Sequence, residues 1–143
     1  MATPGKYTVT LKVGEWSANQ TFELMIDPRL VEMGLTKEDL SKQYELQTNI
    51  LQLMEKAKKL EDDLEKKIKE LKKEEEPDKE TINKHKGILA KLQTEEGIYM
   101  KPMLLSQISY LYSMLNRADQ VPGKDAYVRY EELNGQLKAL DAK

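Results

Sequence analysis

The chain has 143 residues, of which 39% are hydrophobic, 34% charged and 6% aromatic, and its 23 basic and 25 acidic residues leave a net charge of −2. That balance lacks the basic surplus that nucleic acid or an anionic membrane surface requires, so neither is expected as a generic partner. The absence of cysteine excludes disulfides, thiolate metal sites and cysteine nucleophiles, and no apolar run nears the roughly 20 residues needed to cross a bilayer. The opening residues, MATPGKYTV, show no charged segment followed by an apolar one, so no signal peptide is visible.

The stretch PGKYTVTLKVGEWSANQTFELMIDPR predicts two strands and a turn. Tyr7, Val9, Leu11 and Val13 alternate with Thr8, Thr10 and Lys12; Phe22, Leu24 and Ile26 alternate with Thr21, Glu23 and Met25. Gly14 and the GEWSAN segment supply the turn, and Asp27-Pro28 ends the second strand, because proline cannot donate to the ladder. Each strand has one apolar and one polar face, as in a sandwich sheet, yet two strands do not make a sheet that stands alone.

A long helix follows. Thr36 is its expected N-cap, with Asp39 three residues on as a weaker version of the capping box. Leu40, Tyr44, Ile50, Leu53, Ala57, Leu60, Leu64, Ile68 and Leu71 form its apolar stripe, and no glycine or proline interrupts residues 35–76. About 40 helical residues reach about 60 Å. Pro77-Asp78 marks a reversal into a second helix carrying Ile82, His85, Leu89 and Leu92 and ending near Gly97. Pro102 opens a greasier third helix, MLLSQISYLYSMLNRA, which VPG at 121–123 stops. A fourth begins at Lys124 to Asp125, with Ala126, Tyr130, Leu133, Leu137 and Leu140 on one stripe.

The second and third helices, at about 17 or 18 residues each, together nearly match the first in length. The expected fold is therefore α+β and mainly α: an N-terminal β-hairpin, then a long antiparallel helical hairpin with a coiled-coil tip, completed to a three-helix bundle by the C-terminal helix. The hairpin occupies residues 1–34 and the bundle 35–143, with the coiled-coil extension over about 50–96. The fourth helix is expected to cover the third and the start of the first.

Few residues suggest chemistry. The run from Glu55 to Glu80 holds nine lysines and eleven acidic residues, interleaved as a solvated helix face. His85 is the only histidine and has no second ligand for a metal; it and Lys67 are read as a polar layer at the helix seam. Trp16 is read as packing on a neighbouring element, with ligand stacking as the alternative. Tyr110, Tyr112, Tyr127 and Tyr130 resemble a sugar platform but at helical spacing read as core and rim. Asn19-Gln20-Thr21 is a glycosylation sequon. Catalytic, cofactor-binding and metal residues are all absent from this reading.

The run PGKYTVTLKVG with IDPR resembles the end of the small β-sandwich near the C-terminus of large secreted bacterial β-propeller proteins. These are the sortilin-like, BNR-repeat proteins often labelled glycosyl hydrolases. The likeness lies in Pro4, Gly5, Tyr7, Thr8, Val9, Leu11, Val13, Gly14, Asp27, Pro28 and Arg29. IYMKPMLLSQISYLYSML and ADQVPGKDAYVRYEELNGQL resemble the helical tail that follows. The Ser-x-Asp-x-Gly-x-x-Trp box of BNR repeats does not occur, so no active-site residue is carried over. The resemblance implies a hairpin that is the remnant of a sandwich, upstream domains of a parent chain as partners, and an extracytoplasmic location. It implies a non-catalytic spacer or assembly element. The alternative is an autonomous helical adaptor or co-chaperone-like module. The hairpin is expected to pack on the third and fourth helices, or to pair in a homodimer through its edge; the coiled coil is a second homodimer route.

Overall fold

A computed structural model describes residues 2–142. Met1 and Lys143, the outer limits of the two expected units, lie outside the described residues. The fold is α+β and mainly α, in the order β1 (Gly5–Val13), β2 (Trp16–Leu24), α1 (Pro28–Glu32), α2 (Lys37–Leu71), α3 (Lys79–Leu92), α4 (Leu104–Leu115) and α5 (Lys124–Asp141).

β1 and β2 pair antiparallel, with Val13 opposite Trp16 and Gly5 opposite Leu24. The turn is only Gly14-Glu15. Gly14 sits at φ +60, the first central position of a II′-type turn, where a side chain is disfavoured. Trp16 is therefore the first residue of β2, and the turn is shorter than the GEWSAN segment suggested. Ile26 lies beyond the strand. The short helix α1 was not legible as such: Asp27 caps it by accepting from the Arg29 amide at 2.9 Å, and Pro28 occupies its first turn.

α2 starts as its capping box dictates. The Thr36 hydroxyl accepts from the Asp39 amide at 3.1 Å, and the Asp39 carboxylate accepts from the Thr36 amide at 3.1 Å. It runs 35 residues without a break, about 52 Å at 1.5 Å per residue. Asp78 caps α3 by accepting from the Glu80 and Thr81 amides at 3.0 and 3.1 Å. α3 packs on α2, α4 packs on α2 and α5 packs on α4 and α2, so the chain doubles back at Pro77 as expected.

The helices that return along α2 are shorter than predicted, at 14 and 12 residues, because α3 ends at Leu92 and not near Gly97. The ends of the intervening loop are tied by Thr94, whose hydroxyl accepts from the Met103 amide at 2.8 Å and hydrogen-bonds Ser106. That contact supplies the amide at the start of α4 with a partner, since Met103 itself has no capping side chain.

A single core joins α2, α3, α4 and α5. Ile50, Ala57, Leu92, Ile108 and Leu133 have no exposed surface, and Leu46, Leu53, Leu64, Leu104 and Leu137 surround them. Three expectations shift here. The proximal stripe of α2 passes through Leu40, Gln43, Leu46, Gln47 and Ile50, while Tyr44 is outward and exposed. On α3, Ile88 is buried, and Leu89, on the expected stripe, is only partly buried as it packs against the core. α5 does not simply cover α4 and the start of α2: its last turns border a groove with Lys56, Leu60 and Asp63 of α2, and its C-cap Ala142 borders a shallow hollow with Lys84 and Ile88 of α3.

Candidate interaction surfaces

The hairpin has the most unusual surface of the molecule. Its register places Tyr7, Val9, Leu11 and Val13 of β1 on the same face as Trp16, Ala18, Gln20 and Phe22 of β2. The Tyr7 and Phe22 rings stack with centroids 5.7 Å apart. The opposite face carries Lys6, Thr8, Thr10, Lys12, Ser17, Asn19, Thr21 and Glu23. Thr10 donates across the strands to Asn19 at 2.7 Å, so the asparagine of the sequon lies on this polar, exposed face.

The apolar face is not covered. Val13 is 65% exposed, Leu11 58%, Trp16 57% and Phe22 48%. The expected packing of the hairpin on the helices now called α4 and α5 does not occur, and Trp16 does not bury itself on a neighbouring element. Both strands are too short and too narrow to enclose their own side chains, and the bundle core is already closed by helices. At the end of β2, Glu23 lies 3.8 Å from Lys37 at the start of α2, an exposed ion pair of little energetic weight.

A second concave surface, a groove of about 750 Å³, runs between α4 and α5. Leu111, Leu115 and Ala126 line it, with Tyr110 and Val121 standing exposed at its sides. Arg129 spans one end, donating to Gln107 Oε1 at 2.6 Å and to Glu132 at 2.8 Å. The tyrosines do not form a platform. Tyr110 borders the groove, whereas Tyr112, two residues on, packs against the core. Tyr127 is outward on α5, while Tyr130 packs inward.

Lys67 and His85 do not form a polar layer. The seam of α2 at this level is Leu64 and Ile68, and Lys67 points to solvent. His85 is half-buried, and its Nδ1 is buried without a hydrogen-bond partner. The heptad count across the turn fails because residues 72–78 form an irregular connection whose length no periodicity predicts.

Two features escaped the sequence reading. Gln43 and Gln47 are buried polar residues that hold the C-terminal end of α4; their interrupted apolar spacing gave them the look of surface residues. The loop before α4 displays Ile98, 84% exposed, and Tyr99, fully exposed with φ +61, the one non-glycine with positive φ among the described residues. Among the described residues, no group of three or more His, Asp or Glu is placed to hold a metal ion. Among the described residues, no helix is long and apolar enough to cross a membrane.

No family model, curated protein or solved structure matches the chain.

Proposed function

We propose that this chain is a non-catalytic structural and interaction module whose hairpin contributes two strands to a sheet completed by another unit, while the helical rod spaces or anchors that assembly. The observation that carries the reading is the exposed apolar face of the hairpin, set beside a bundle that has already closed its own core. A contiguous apolar face rimmed by polar residues marks a contact surface. The resemblance named above supplies an occupant: upstream strands of a secreted parent chain, which would place the module outside the cytoplasm.

Hydrogen exchange on the 143-residue chain, together with acrylamide quenching of Trp16, the only tryptophan, tests this reading. The expected result is a protected bundle, a rapidly exchanging hairpin and a readily quenched indole. A monomer whose hairpin is protected and whose indole is shielded overturns it.

The adaptor reading has its own support in the α4–α5 groove, where Tyr110 and Val121 remain exposed beside an apolar floor. It predicts that Tyr110→Ala abolishes binding of an amphipathic helical peptide to this face while leaving the hairpin untouched.

A further inference from the structure

The two free edges of the hairpin are not equivalent. In a hairpin with a two-residue turn, the residues flanking the turn form a hydrogen-bonded pair, and such pairs alternate along the ladder. Val13–Trp16, Leu11–Ala18, Val9–Gln20 and Tyr7–Phe22 are therefore bonded inward. The amides of Lys6, Thr8, Thr10 and Lys12 point out along the free edge of β1. Those of Ser17, Asn19, Thr21 and Glu23 point out along the free edge of β2.

The apolar face distinguishes these edges. β1 presents Tyr7, Val9, Leu11 and Val13 without interruption, as suits a strand flanked on both sides and covered along its length. β2 places Ala18 and Gln20 in the middle of the same face, and a polar residue pointing inward is a device of edge strands. The polar face adds a charge signal. Lys12 faces Ser17 and Lys6 faces Glu23, whose carboxylate lies near Lys37, so among the described residues neither lysine has a carboxylate within salt-bridge distance.

We infer that the free edge of β1, and not that of β2, accepts an extended partner strand that alternates β-branched residues with polar ones and carries acidic residues opposite Lys6 and Lys12. This deepens the proposed function and rests on its reading of the hairpin as an incomplete sheet. A second copy is a poorer occupant. The longest antiparallel self-pairing, centred on Val9, sets Lys6 against Lys12 of the other copy, where like charges directly opposite are unfavourable, and sliding the register to separate them shortens the ladder. Face-to-face association of two hairpins, each about 30 Å by 10 Å, buries about 600 Å² in all, half of what a stable dimer needs.

The test tethers a strand to the full chain. The segment Glu-Val-Thr-Val-Thr-Val-Glu reads the same in either direction. Joined ahead of residue 1 by a Gly/Ser linker of about 12 residues, with a reach of about 20 Å, it has access to either edge. Amide exchange is then compared with that of the untethered chain. We expect at least about tenfold slower exchange at Lys6, Thr8, Thr10 and Lys12, no change at Ser17, Asn19, Thr21 and Glu23, and a smaller effect when both glutamates of the tether are lysines. Protection along β2, protection at neither edge, or equal protection by the lysine tether overturns the inference. Concentration-dependent protection of the untethered chain does so in favour of a second copy. Each of these is distinct from failure of the proposed function, which appears in the untethered monomer as a hairpin already protected and an indole already shielded.

Discussion

The side chain of Gln43 reaches across 77 positions of sequence to Gln120, whose backbone amide donates to its Oε1 at 3.0 Å. The same side chain donates through Nε2 to the carbonyls of Leu115 at 2.7 Å and Ala118 at 2.8 Å. Gln47, one turn later on α2, donates to the Leu115 carbonyl at 2.9 Å. The last carbonyls of a helix have no partner within it. At the end of α4 the carbonyl of Leu115 faces the core, and the two glutamines of α2 satisfy it there. They lock α4 and the following loop to α2 at one register.

Gln43→Leu is expected to destabilise the bundle by about 2–3 kcal/mol in urea unfolding, because it strands buried or half-buried backbone groups. Gln47→Leu costs less, about 1 kcal/mol, since Gln43 still serves the Leu115 carbonyl. The double variant departs from additivity, because both side chains share that acceptor.

Ile108 has no exposed surface and sits within the core shared by the four long helices. Ile108→Ala is expected to lower stability by about 2–5 kcal/mol, read from the same urea titration. The exposed hairpin behaves oppositely. Trp16→Ala changes the unfolding free energy read from the helical signal by no more than about 0.5 kcal/mol, since nothing in the bundle packs on it.

His85→Leu is expected to raise stability by about 1 kcal/mol. The histidine leaves Nδ1 buried with no partner, and an apolar side chain at that half-buried position removes the desolvation cost. A thermal melt at neutral pH showing a lower midpoint for the variant overturns this account.

Acid weakens the helix starts. Asp39 is held below its ordinary value of 3.8 by the Thr36 hydroxyl first and the Thr36 amide second. Asp78 is held below 3.8 by the Thr81 hydroxyl, then by the Thr81 and Glu80 amides. Asp27 lies at about 2 through its hydrogen bonds from the Arg29 side chain and amide. A carboxyl lowered in the folded state contributes stability that is fully present above its unfolded pKa and lost as pH falls through the folded one. The melting midpoint should therefore fall as pH drops below about 4, and Asp78→Ala should remove part of that dependence. Thermal melts across this range of the parent and the variant give the comparison.

What local rules could specify was legible in the chain. Alternation in PGKYTVTLKV predicted β1 and its apolar face. The Thr36–Asp39 box marked the start of α2, and the Pro77-Asp78 pair placed the reversal and the cap of α3. Tyr130, Leu133, Leu137 and Leu140 already marked the inward stripe of α5. Each of these depends on contacts within a few residues, or on a single amphipathic period. Tertiary structure alone decided that Gln43 and Gln47 turn inward, because their value lies in carbonyls some 70 residues away. It decided that His85 does not meet Lys67, because the irregular turn breaks the count from one helix to the next; Lys67 itself is outward because the inward stripe of α2 passes through Leu64 and Ile68. It also left Trp16 and its neighbours uncovered. Whether an apolar face is buried depends on which surfaces remain free once the helices have packed, and no periodicity within β1 or β2 carries that information.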